Sequence, residues 1–185
     1  KNGMLHQAND FFRATGAHTV LQYKEVNESL LRTRNSGGFQ LLGLADFPGQ
    51  GSAFVGILDA FWESKGLVTP EKFRESCAPT VLLARLPKRT FRNGEKLKAK
   101  MEIYHFGKDA LNSRKLNWTL IGEDGTVYHK GSLKTKSIQP ATVDSLGIIE
   151  LPLNGMDSAR KLTLKAELGG IHNEWDVWVY PEQPK

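Results

Sequence analysis

The chain has 185 residues, of which 39% are hydrophobic and 24% are charged, a composition typical of globular proteins and not of disordered chains. No apolar run approaches the roughly 20 residues that span a bilayer, so no membrane is expected as a partner. The net charge of +5 is a modest excess that does not indicate nucleic acid as a partner. The sequence begins at Lys1 without an initiator methionine or a signal segment, which predicts the C-terminal part of a larger protein.

Cysteine and histidine usage gives no sign of a metal or redox site. The single cysteine, Cys77, excludes an internal disulfide, and the five histidines have no ligand spacing to one another or to Cys77. We therefore expect a buried structural cysteine, no metal and no cofactor. The clearest basic cluster alternates with apolar residues, which predicts the solvent-facing side of one strand: Lys96, Lys98 and Lys100.

The first part of the chain has the pattern of an α/β unit. Residues 9–33 carry apolar side chains at helical spacing, interrupted near Gly16, and two helices or one broken helix fit equally well. Residues 39–45 are a short continuous apolar run, which predicts a strand buried on both faces. After a glycine-rich loop, residues 53–65 carry apolar side chains three and four positions apart, which predicts an amphipathic helix. One such unit cannot form a parallel sheet alone.

After Pro79 the hydrophobic period changes from helical to alternating, which predicts a domain boundary between residues 79 and 80. Glu123-Asp-Gly125 indicates a hairpin turn. Strands are predicted at residues 81–86, 97–103, 116–120, 126–134, 145–153, 162–168 and 175–180. Together these features predict an α+β chain in which residues 80–185 form an immunoglobulin-like β-sandwich of about seven strands.

If residues 39–45 are a strand of a parallel α/β barrel, the side chains that follow lie where barrels place their binding groups: Asp46, Phe47 and Gln50. Asp46 could instead accept backbone hydrogen bonds within its loop. Gln50 lies between two glycines, which either free it to meet a ligand or merely permit a tight turn. Lys65 follows the predicted helix and could bind a ligand or interact with the helix dipole.

Three segments carry a resemblance to a known family: Gly38–Phe47, Trp62–Gly66 followed by Phe73, and Asn173–Pro181. They resemble the last barrel strand, the last helix and the final sandwich strand of glycoside hydrolase family 2, which includes β-galactosidases and β-glucuronidases. The resemblance implies that residues 1–79 are the C-terminal remnant of a TIM-type barrel. It also implies a periplasmic or secreted location, a carbohydrate substrate and the rest of the parent chain as a partner.

The resemblance further implies a retaining β-glycosidase whose two catalytic glutamates lie upstream, so this chain alone is expected to be inactive. Glu25 and Glu28 fall on a helical pattern, where we expect solvated or ion-paired carboxylates. Leu42 stands where the family places a tryptophan beneath the sugar. Glu63 stands where β-glucuronidase-like members have an asparagine beside the matching Lys65, and its charge would repel a sugar carboxylate.

Two alternatives to a glycosidase fragment stay open. A carbohydrate-binding sandwich would bind sugars on exposed aromatic side chains, for which Trp118, Trp175, Trp178 and Tyr180 are candidates. Trp178 and Tyr180 fall on one face of the last strand and Trp175 on the other, so one aromatic row could be exposed or could pack at a domain junction. A structural or protein-interaction domain would have no affinity for sugars.

Overall fold

A computed structural model describes residues 3–36, 38–49, 54–112 and 115–182. The chain divides into two compact units, Lys1–Cys77 and Ala78–Lys185. In the described part of the first unit the regular elements are helices, and in the second they are strands.

One long helix dominates the N-terminal unit. A 3-10 helix, Leu5–Gln7, leads into α1, Ala8–Leu31, which is one unbroken helix of 24 residues. Gly16 does not interrupt the helix. It allows Leu67 to pack directly over this position, where a β-carbon would collide with the leucine side chain. A short helix α2, Pro70–Arg74, follows later. The Thr69 hydroxyl caps it by accepting the Lys72 N–H at 3.2 Å.

The predicted strand at residues 39–45 is absent. These residues are all described, and they form only one bridge, between Ala45 and Leu58. A strand buried on both faces needs hydrogen-bonded neighbours, and the described residues of this unit form isolated bridges, such as the one between Leu58 and Ser64, but no strand. Leu42 is 97% exposed. The prediction of a TIM-type barrel remnant in residues 1–79 is therefore wrong.

The prediction of a helix at residues 53–65 is also wrong, since none of the described residues 54–65 is helical. Asp59 Oδ1 accepts the backbone N–H of Phe61 at 2.8 Å and of Glu63 at 2.9 Å. An aspartate that bonds its own neighbours offers the backbone an alternative to the helix. Trp62 takes a left-handed φ of 67°, which closes the turn and leaves Phe61 and Trp62 84% and 69% exposed.

The described residues of the C-terminal unit form eight strands: β1 Thr80–Arg85, β2 Thr90–Arg92, β3 Lys96–His105, β4 Lys115–Gly122, β5 Val127–Lys134, β6 Thr142–Pro152, β7 Arg160–Leu168 and β8 Ile171–Tyr180. They make a three-stranded sheet in the order β1-β3-β6 and a five-stranded sheet in the order β2-β8-β7-β4-β5. Buried side chains from both sheets form one hydrophobic core. The predicted β-sandwich is confirmed, and its immunoglobulin-like subtype stays a prediction.

Alternation along β8 separates the core from the outer face of the five-stranded sheet. Trp175, Val177 and Val179 are at most 1% exposed and belong to the core. Trp178 and Tyr180 are 38% and 46% exposed and point to the other face. This alternation determines which side chains of the last strand a ligand can reach.

The turn predicted at Glu123–Gly125 joins β4 to β5. Gly122 donates its N–H to the Thr126 carbonyl at 2.9 Å, and Gly125 adopts a φ of +82°, which favours glycine. Asp124 accepts the Thr126 N–H at 2.9 Å, and this bond lowers the pKa of its carboxyl group.

Candidate functional site

Asp46 and Lys65 form an ion pair inside the N-terminal unit. Lys65 Nζ lies 2.6 Å from Asp46 Oδ1 and also donates to the Gly56 carbonyl at 2.9 Å. Asp46 Oδ1 accepts the Gly56 N–H at 3.0 Å, so the three groups close a small network. The two charged side chains are 11% and 7% exposed. Each charged group therefore already has an ion-pair partner within this unit. The role of Asp46 and Lys65 in substrate binding stays a prediction.

The other predicted binding residues of this segment are not brought into that network. Phe47 is 55% exposed, and its ring lies over Gly49, where a β-carbon would come within 2.9 Å of it. Gln50 lies outside the described residues. Of the four predicted substrate-binding residues, the structure therefore joins Asp46 to Lys65.

A cavity of about 690 Å³ lies within the N-terminal unit. One wall is α1, and the others come from residues 39–42 and 54–56 together with Lys65 and Leu67. The lining is mostly apolar, and its titratable groups are Tyr23 and Lys65. The Tyr23 hydroxyl donates to a backbone carbonyl at 3.0 Å, so both groups already have partners within the unit. The described lining offers volume for a small molecule but no acid–base pair for catalysis.

Asn27 on α1 also lines this cavity. It is fully buried, and neither its side-chain oxygen nor its nitrogen has a hydrogen-bond partner among the described residues. Leaving a buried amide unpaired costs about 1–3 kcal/mol per group. The neighbouring Glu28 is buried as well, but Lys24 Nζ lies 2.7 Å from its carboxylate and Arg32 Nη2 lies 3.8 Å away. Glu28 is thus ion-paired as expected, but it is buried and does not lie on a solvated face of the helix.

Cys77 is partly buried, and this burial raises the pKa of its thiol, while the nearby charge of Arg74 opposes the rise. A raised pKa disfavours the nucleophilic thiolate at neutral pH. Among the described residues no three histidine, cysteine, aspartate or glutamate side chains are placed to share a metal ion. None of the described helices combines the length and apolar character needed to cross a membrane.

The four aromatic residues of the sandwich that were predicted to bind sugars differ in their exposure to solvent. Trp175 is 1% exposed and lies in the core, and Trp118 packs against that core, partly buried. Trp178 and Tyr180 are two residues apart on the outer face of β8, where both reach solvent. We call these two side chains the aromatic row.

Polar side chains flank the aromatic row on the adjacent strands. The parallel pairing of β2 with β8 places Thr90 beside Trp178 and Arg92 beside Tyr180. On the other side, Lys161 of β7 pairs with Trp178 in register. These neighbours of the aromatic row are not predictable from the sequence, because the three-residue strand β2 has too little alternation to be recognised and its pairing with β8 joins distant segments.

Comparison with known families and structures matches residues 95–181 to a Domain of unknown function (DUF8488). No curated protein matches the sequence. Among solved structures, the chain is similar to Spo0M, the sporulation control protein of Bacillus subtilis, with 17% identity and a TM-score of 0.41 over 58% of this chain and 51% of Spo0M. It is also similar to the CARDB domain of the PF1109 protein of Pyrococcus furiosus, in complex with di-metal ions, with 12% identity and a TM-score of 0.40 over 56% of this chain and 94% of that domain. The chain spans about half the length of Spo0M.

The resemblance to glycoside hydrolase family 2 is wrong. Its last segment, Asn173–Pro181, lies within the residues that match the domain of unknown function. Its other two segments, Gly38–Phe47 and Trp62–Gly66, form neither a barrel strand nor a barrel helix. The retaining glycosidase mechanism therefore loses its basis. The periplasmic or secreted location and the parent chain as a partner stay predictions.

Proposed function

We propose that the C-terminal unit is a carbohydrate-binding β-sandwich module that binds sugars on the aromatic row. The observation that carries the proposal is the pair Trp178 and Tyr180, 38% and 46% exposed on one face of one strand. Alternate residues of a strand are about 6.8 Å apart, so the two rings follow one another along one strip of the sheet surface. Exposed aromatic side chains grouped in this way are characteristic of binding surfaces.

The chemistry of this strip fits a sugar ring. A pyranose has an apolar face of C–H groups and a rim of hydroxyl groups, so it needs an aromatic surface bordered by hydrogen-bonding side chains. Thr90, Arg92 and Lys161 border the aromatic row in this way. Asp176 adds a carboxylate on the same face, where it accepts a hydrogen bond from the Thr163 hydroxyl at 2.8 Å.

The same border disfavours a protein partner. The buried centre of a protein–protein interface is depleted of lysine and aspartate, although it is enriched in arginine. Here Lys161 stands directly beside Trp178 and pairs with Asp176 at 3.0 Å. A protein interface centred on Trp178 would have to bury this ion pair, and its desolvation opposes binding.

Glycan-array binding followed by calorimetry on the full 185-residue chain tests the proposal. The variants are Trp178→Ala and Tyr180→Ala. The matched control is Phe106→Ala, because Phe106 is also 46% exposed but follows β3 of the other sheet and stacks on Tyr104 at 4.5 Å. Circular dichroism checks that each variant keeps its β-structure.

We expect each aromatic-row variant to weaken glycan binding at least about tenfold, since stacking on one ring contributes on the order of 1–3 kcal/mol. The control should bind as the unmodified chain does. No affinity for any arrayed glycan, or binding that is insensitive to both aromatic-row variants, would contradict the proposal and favour a structural or protein-interaction domain.

A further inference from the structure

Two lysines on the outer face of the five-stranded sheet are neutralised by neighbouring carboxylates. Lys161 Nζ lies 3.0 Å from Asp176 Oδ2, and Lys165 Nζ lies 3.6 Å from Glu174 Oε2. Each carboxylate sits on β8 and each lysine on β7. An anionic ligand would therefore gain little from these lysines, because their charges are already compensated.

Arg92 differs from these lysines. It is exposed and forms no ion pair within 4 Å among the described residues. Glu95 accepts the backbone N–H of Arg92 at 2.8 Å, but its carboxylate lies 2.7 Å from Lys88 Nζ. The hydrogen bonds from Lys88 and from that N–H lower the pKa of Glu95. The ion-pair contact of Glu95 is thus with Lys88, while Arg92 acts on Glu95 through its charge, which also lowers the Glu95 pKa. The N–H donors of the Arg92 guanidinium therefore stay available to a ligand.

The position of Arg92 connects this charge to the aromatic row. In the parallel register Arg92 lies beside Tyr180, on strands about 4.8 Å apart. Both side chains are exposed on the same face of the sheet. We infer, on the basis of the proposed sugar binding at the aromatic row, that the bound glycan is anionic and that Arg92 pairs with its carboxylate or sulfate group.

Guanidinium chemistry explains why an acidic sugar is favoured over a neutral one. Arginine presents several N–H donors in one plane, and two of them match the two oxygens of a carboxylate. A sulfate offers a similar edge of two oxygens. A neutral sugar offers only hydroxyl groups, and these make weaker hydrogen bonds that are not assisted by charge.

The test compares glycans that differ in charge alone. Calorimetry on the full chain uses an oligogalacturonate and its methyl ester, which is the same glycan without the charge. A sulfated galactan oligosaccharide and its unsulfated counterpart form a second arm that separates sulfate from carboxylate. The variant is Arg92→Gln, and the matched control is Lys130→Gln, which removes the same charge from exposed Lys130 on β5 of the same sheet.

We expect at least one acidic glycan to bind about tenfold more tightly than its neutral counterpart, the size of one charge-assisted interaction. Arg92→Gln should remove this preference and Lys130→Gln should keep it. Added salt should weaken binding of the acidic glycan more than binding of the neutral one.

Equal binding of acidic and neutral glycans, or a charge preference that survives Arg92→Gln, would overturn the inference and leave sugar binding on the aromatic row intact. Absence of binding to all four glycans would also overturn it, and the broader glycan array with Trp178→Ala then decides the proposed function separately.

Discussion

Gly131 lies directly opposite Trp118 on the paired strands β4 and β5, and the indole ring covers the glycine. A β-carbon at position 131 would lie 2.5 Å from Trp118 Cζ2 and 2.9 Å from Cε2. These atoms belong to a rigid ring that also packs against the core. Glycine within a strand often marks such a close approach.

Gly131→Ala should therefore destabilise the sandwich. The methyl group forces the indole away from its site, and overpacking of this kind costs about 1–3 kcal/mol. Urea unfolding of the C-terminal unit measures the loss. Ser132→Ala, at the next and exposed position of β5, is the control and should change stability by less than about 0.5 kcal/mol. Equal stability of both variants would mean that the indole moves aside without cost.

The Asp46–Lys65 pair should contribute to the stability of the N-terminal unit. Asp46→Asn leaves the Lys65 ammonium largely buried without its counter-charge, which should destabilise the unit by about 3 kcal/mol. Asp46→Asn combined with Lys65→Met should recover part of this loss, because the orphaned charge is gone. Hydrogen exchange of the α1 amides measures local stability.

The control for these Asp46 and Lys65 variants is the exposed ion pair Lys88–Glu95, whose side chains are 47% and 40% exposed. Lys88→Met should cost less than about 1 kcal/mol. If Asp46→Asn is as mild as Lys88→Met, the buried pair is not structural, and a ligand-binding role for Asp46 and Lys65 becomes the better explanation of two charged side chains in a buried position.

Cys77 should react slowly as a nucleophile. Burial raises the pKa of its thiol above the ordinary value of 9.0, and the charge of Arg74 offsets only part of the rise. Iodoacetamide at pH 8 should therefore modify Cys77 more slowly in the folded chain than in urea. A rate in the folded chain equal to that in urea would contradict this prediction.

The raised pKa of Cys77 also predicts that the folded chain loses stability at alkaline pH. A thiol whose folded pKa is raised favours the folded state below its unfolded pKa, and this contribution disappears as the pH rises through the folded pKa. Stability should therefore fall above about pH 9, and Cys77→Ala should remove this component of the decline. A pH profile that is identical with and without Cys77 would be the opposing result.

Strands were predictable from sequence where one face of a sheet is buried. Burial of alternate side chains imposes a period of two, and this period is visible at residues 97–103 and 175–180. It also placed Trp178 and Tyr180 on one face. It could not place Arg92 beside Tyr180, because the parallel pairing of β2 with β8 depends on the tertiary fold.

The N-terminal predictions failed for local reasons. A continuous apolar run such as residues 39–45 does not specify a strand unless neighbouring strands supply hydrogen bonds. The apolar spacing of residues 54–65 fits a helix, but Asp59 bonds the N–H groups of Phe61 and Glu63 and turns the chain instead. The spacing of hydrophobic residues does not show whether side-chain hydrogen bonds, such as those of Asp59, will replace the backbone hydrogen bonds of a helix.

Asn27 provides a direct test of the cavity in the N-terminal unit. Its buried amide has no partner among the described residues, so an apolar side chain of similar size should be more favourable there. Asn27→Leu should stabilise α1 by about 1–3 kcal/mol, measured by hydrogen exchange of its amides. Asn9→Leu, at an exposed position of the same helix, controls for the higher helix propensity of leucine.

A gain no larger than that of Asn9→Leu, or a loss, would contradict this expectation. It would mean that the Asn27 amide has partners in solution, either an ordered water or a small molecule in the cavity of about 690 Å³. Repeating the hydrogen-exchange measurement with an amide-bearing probe such as N-methylacetamide in solution would separate the water from the small molecule. A bound probe should protect the α1 amides in the unmodified chain and not in Asn27→Leu.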